Sequence, residues 1–153
     1  MTREERQVRS QLSALADDDK GRRLLQLALR GIQESGRGLT YGCWVKPGGG
    51  VSGCLFQHAY WQGVREEVFP DEGRPGDWIG SFMGAGGYGV VVDTIGAFDR
   101  LAKRQHADVR RRLVLPDKVD VRLDEWRAVV ERMLVEALAE TGAPDAERNR
   151  VLA

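Results

Sequence analysis

The 153-residue chain is short of the residues that most often announce chemistry, with two cysteines and two histidines. In a reducing compartment, two cysteines point to thiols or ligands rather than to a structural bridge. The chain also lacks net charge, since 23 basic side chains balance 23 acidic ones. That balance removes the overall field that steers a protein to nucleic acid or to an anionic membrane. No stretch is both long and apolar enough to cross a bilayer, which takes about 20 residues. The run from Trp78 to Val92 carries no charge, but it is rich in glycine. The opening MTREERQVRS has no apolar signal core, so the expected location is cytoplasmic, with no membrane partner and no nucleic acid.

What the chain has in excess is glycine, 19 residues. Fifteen of them fall between Gly38 and Phe98, a segment that also holds ten of the eleven aromatics, both cysteines and His58. The flanks are charged and rich in alanine and leucine. The expected fold is therefore α+β, mainly helical, with a small antiparallel β element in the glycine-rich centre. One globular domain is expected over residues 1–144, with a frayed tail at 145–153.

Apolar spacing predicts a helix from Arg3 to Ala16, with Val8, Leu12 and Leu15 on one face. A second helix is predicted from about Lys20 to Ser35, ended by Gly36 and Gly38. LTYGCWVK reads as a strand that turns at Pro47-Gly48-Gly49-Gly50. If Lys46 pairs with Val51, Cys43 faces Cys54, with Cβ atoms roughly 5 Å apart. CLFQHAYWQGVREEVF fits a helix, PDEGRPGD a loop, and Trp78 to Phe82 a short strand. A helix forms by Thr94. RRLVL and KVDVRL read as two more strands, and a last helix starts near Asp124.

Four motifs carry candidate chemistry. Cys43, Cys54 and His58 are potential zinc ligands, because thiolates and imidazole suit that metal. Cys54 and His58 lie four apart, on one face if a helix starts after Gly53; His106, Asp71, Asp77 or Asp93 would have to complete the set. Gly84, Gly86 and Gly89 match the G-x-G-x-x-G spacing of a phosphate cradle. Arg100, Lys103, Arg104 and Arg110 to Arg112 form a basic run that suits either phosphates or a solvated helix end. The fourth motif is Cys54 itself, which opens a helix, where the dipole favours a thiolate.

Tyr41 and Trp44, the glycine-rich loop, Cys54 opening a helix, and Pro75-Gly76-Asp77 together resemble the NlpC/P60-like cysteine peptidases. The resemblance spans about Leu24 to Asp93. It implies a thiol hydrolase with Cys54 as nucleophile and a strand after Asp77. The family's Asp before the cysteine and Ser-Gly after it are replaced by Gly53 and Leu55-Phe56. Its base histidine would fall near Tyr88 or Gly89, which leaves His58 or His106 as base, or an inactive site.

The leading expectation is a small binding or regulatory protein acting through a protein partner or self-association. Its surface would come from Tyr41, Trp44, Trp61, Trp78 and Tyr88, since aromatics dominate contact surfaces and pockets. The alternatives are the thiol hydrolase (Cys54, His58, His106) and a zinc-binding domain (Cys43, Cys54, His58).

Overall fold

A computed structural model describes residues 1–39, 52–113 and 119–140. The elements are α1 (Arg3–Ala16), α2 (Asp19–Glu34), β1 (Gly38–Leu39), β2 (Ser52–Gly53), α3 (Leu55–Arg65), α4 (Pro75–Leu113) and α5 (Val119–Glu140). The architecture is all-helical in substance. β1 and β2 are two residues each and pair in parallel, Gly38 with Ser52 and Leu39 with Gly53.

The expected α+β fold with an antiparallel element is therefore overturned. A parallel pair needs a crossover rather than a tight turn. Cys43, Lys46 and Val51 of the expected hairpin lie outside the described residues, as does the proposed tail at 145–153.

Trp78 to Phe82, expected as a strand, belongs to α4. Pro75 stands at the first helical position, where its missing N–H costs nothing, and Asp77 adds a negative charge to the first turn. Ile79 and Met83, four apart, are buried together, which is helical and not alternating spacing. The RRL of RRLVL continues α4, and KVDVRL enters α5 from Val119 onward, five residues ahead of the expected cap at Asp124. α4 is broken once, at Gly84, whose φ of 78° and ψ of 171° belong to a region essentially reserved for glycine.

The two N-terminal helices form as their spacing predicts. Thr2 caps α1 by accepting from the Glu5 N–H at 3.2 Å. Asp18 caps α2 by accepting from the Gly21 N–H at 3.0 Å, so the Asp17–Asp19 run joins two helices. At that corner a Cβ on Gly21 would lie 2.1 Å from the Leu15 carbonyl oxygen. α3 ends with Glu67 at φ 61°. Val68 N–H reaches the Gly63 carbonyl at 2.7 Å and Glu67 N–H the Val64 carbonyl at 3.2 Å, the paired bonds of a Schellman cap.

α2 is the hub, packed by α1, α3 and α5, and α4 lies along α1. The core joins Val8, Leu12, Leu24, Leu25 and Ile32 to Phe56 and Ala59 of α3, Val91 and Leu101 of α4, and Met133 and Leu134 of α5. Phe98 meets Trp126 edge to face, centroids 5.9 Å apart. No helix among the described residues is long and apolar enough to cross a membrane.

Candidate functional site

α3 is buried on nearly every side: Leu55, Phe56, Gln57, His58, Ala59, Tyr60, Gln62 and Gly63 all face protein. Three of these are polar, and a buried polar group needs a partner. His58 and the Gln62 amide nitrogen find theirs, while Gln57 Oε1 and Gln62 Oε1 meet none among the described residues.

His58 has no exposed surface, and both ring nitrogens are engaged. Nε2 lies 2.8 Å from the Gly38 carbonyl oxygen. A carbonyl only accepts, so Nε2 carries the proton and Nδ1 holds a lone pair. Nδ1 is 3.3 Å from the Ser35 hydroxyl, which donates to it. Ser35 Oγ in turn accepts from the Arg37 N–H at 3.1 Å. The whole set satisfies a neutral imidazole. Burial holds His58 below the ordinary histidine value, and the charges of Arg127 and Arg37 push the same way; the carbonyls of Gly38 and Gly31 oppose them.

Glycine lets α3 approach this closely. A Cβ on Gly31 would come 2.4 Å from the His58 carbonyl oxygen. Trp61, one turn on, meets the His58 ring edge-on at 5.2 Å, and the Arg37 guanidinium lies 4.1 Å from the Trp61 ring centre. His58 is thus tied to the turn after α2 and to β1.

Cys54 is the N-cap residue of α3, as expected, and its thiol is buried. His58 meets it through the backbone, by its N–H to the Cys54 carbonyl at 3.1 Å. The imidazole nitrogens point to Ser35 and Gly38 instead, so neither is aimed at the thiol. His106 lies on α4, and its side chain, like the whole of Cys43, Tyr41 and Trp44, is outside the described residues. Among the described residues, no three of His, Cys, Asp and Glu come together as a metal site would need. Pro75-Gly76-Asp77, which enters a strand in the cysteine peptidases, here opens a helix.

The expected aromatic surface divides. Trp61 serves the His58 cluster. Trp78 donates its indole N–H to the Glu72 carbonyl. Tyr88 packs where a Cβ on Gly80 would lie 3.6 Å from its ring. Glu66, at the end of α3, is gripped by Arg30 through two bonds of 2.9 Å and by Gln62 at 2.8 Å.

The G-x-G-x-x-G segment follows a helix and not a strand, so it lacks the setting of a phosphate cradle. Gly84 makes the break, and Gly86 and Gly89 start the second part of α4 on its outer side, with nothing within 4 Å of where a Cβ would stand. Ala85, Gly86, Gly89, Val92 and Asp93 are all exposed. Continuing at helical spacing, the same face carries Gly96, Arg100 and Lys103. The basic run is partly spoken for: Arg104 pairs with Glu4 at 3.2 Å and Lys103 with Asp99 at 3.1 Å.

No protein family, curated protein or solved structure matches this chain.

Proposed function

We propose that the chain is a binding protein that works by self-association, through the outer face of α4 and a second copy of itself. The observation carrying this is the pair Gly86 and Gly89. An exposed glycine inside a helix costs about 0.5–1 kcal/mol relative to alanine. At Gly21, Gly31 and Gly63 a Cβ would collide, which gives those glycines an internal reason. Gly86 and Gly89 have none. A glycine face lets a second helix backbone come close.

The charges on that face are self-complementary. Asp93 and Arg100 are seven apart, so they share a face, and their midpoint falls beside Gly96. Two copies of α4 crossing antiparallel at Gly96 would set each Asp93 opposite the other copy's Arg100. This is the reciprocal pattern of a two-fold interface. It would also cover Val92, which is 48% exposed.

Sedimentation velocity across a range of concentrations tests the reading. The expected result is a species of twice the 17.0 kDa chain mass, reduced to monomer by Gly89→Leu with the helical circular dichroism unchanged. A chain that stays monomeric at millimolar concentration would overturn it.

A further inference from the structure

The His58 cluster supports an inference independent of the α4 face. We propose that His58 is a proton-operated latch: neutral, it holds the turn 35–38 and β1 against α3, and on acidification it lets them go.

The geometry makes the latch specific to this turn. The two side-chain hydrogen bonds of His58 to described residues, Nδ1 with Ser35 at 3.3 Å and Nε2 with Gly38 at 2.8 Å, both end on residues 35–38, while on the other side the ring meets the Gly31 carbonyl of α2. β1 is only two residues long and pairs with the two residues of β2. Such a pair has little hold of its own, since even an isolated two-stranded hairpin is marginal in water. The Gly38 carbonyl is thus fixed from the side by one imidazole.

A proton from solvent would enter at Nδ1, the one lone pair of the ring. Nδ1 would then donate to Ser35 Oγ, and the Ser35 hydroxyl proton would lose its acceptor and have to turn elsewhere. No proton leaves the ring. The new charge would lie in a fully buried position. The charges bearing on it from the neighbouring elements are cations: Arg37 from the turn, over the Trp61 ring, and Arg127 from α5. Arg127 is itself held by the Ile32 carbonyl at 2.6 Å and by Glu131 at 3.0 Å. On the α2–α3 side, Glu66 is taken by Arg30, and Glu34 accepts from the Gln62 amide at 3.5 Å. The cheapest escape for an imidazolium is toward water, past the turn it was holding.

Nitrogen-edited NMR of the whole chain, titrated from pH 7.5 down to 4.5, tests the latch. The expected result is that the amides of Arg37, Gly38, Leu39 and Gly53 shift with the same midpoint as the His58 ring carbons. That midpoint lies below that of a free histidine, and Val8, Leu12 and Leu25 do not move. His58→Gln, whose amide can still donate to Gly38, should remove that transition. Three outcomes would overturn the proposal: His58 titrates while Gly38 and Leu39 stay still; the turn moves equally in His58→Gln; or the α1 and α2 core amides are lost at the same midpoint, which is general acid unfolding. The wild-type titration decides the question by itself if the variant fails to fold.

Discussion

At the scale of single residues, the glycines of this chain divide into two groups with opposite predicted responses to alanine. At Gly21 and Gly31 a Cβ would meet backbone oxygen at 2.1 and 2.4 Å. Backbone between packed helices cannot step aside, so Gly21→Ala or Gly31→Ala should each destabilise by about 1–3 kcal/mol, as overpacking does. Urea titration should show a lower midpoint with an unchanged slope. Gly86→Ala fills open space on a helix and should stabilise the monomer by roughly 0.5–1 kcal/mol. A loss of stability there would mean that the position is crowded after all.

The same scale holds the pH dependence. The His58 value is lowered on folding, chiefly by burial. Its contribution is therefore fully present above the unfolded histidine value of about 6.5 and is lost as pH falls through the lower folded value. Glu66 is also lowered, first by its hydrogen bonds from Arg30. Its contribution is present above about 4.3 and disappears at more acid pH. Unfolding free energy measured against pH should thus fall in two stages on acidification. His58→Gln should flatten the upper stage and keep the lower one.

At the scale of elements, the break in α4 is fixed by a single backbone angle. Gly84 has φ 78° and ψ 171°, a region that a Cβ forbids at a cost of order 1–3 kcal/mol. Gly84→Ala should lower the thermal midpoint even though it replaces a helix breaker with the best helix former. Hydrogen exchange should place the loss in residues 75–83 and spare α1.

What could be read from the sequence at this scale follows from how local each signal is. α1 and α2 were legible because cap, stripe and stop all lie within the segment: Thr2 and Glu5, then Val8, Leu12 and Leu15. The helix after Gly53 was legible from its apolar spacing. α4 was not, because Trp78, Ile79 and Phe82 are β-formers by type, and only burial of Ile79 with Met83 reveals a helical period. The strand pairing depends on where α2 and α3 sit in space, which no local pattern carries. The candidate site was half legible. Cys54 as a helix opener could be seen, but the partners of His58 are Ser35 and Gly38, 23 and 20 residues away. No spacing rule links an imidazole to a hydroxyl and a carbonyl in another helix's exit turn.

At the scale of the whole molecule, a two-fold α4 interface makes a demand that an ordinary surface does not. Each copy contributes both halves of the ion pair, so one substitution acts twice. Asp93→Arg would set arginine against Arg100 of the other copy at both ends of the interface, and Arg100→Asp would set aspartate against Asp93 in the same way. Like charges directly opposed across an interface are strongly disfavoured. Each variant alone should therefore be monomeric by sedimentation. Mixed in equal amounts, they should form a heterodimer, because one chain then carries two arginines and the other two aspartates. The double variant Asp93→Arg/Arg100→Asp should self-associate again. Raising the salt should weaken the wild-type dimer and the mixed dimer alike, since exposed pairs are screened. If the mixture stays monomeric while the wild type is a dimer, α4 is not crossed at Gly96 and another face joins the copies. If the wild type is also monomeric, the glycines of α4 answer to something other than a second copy.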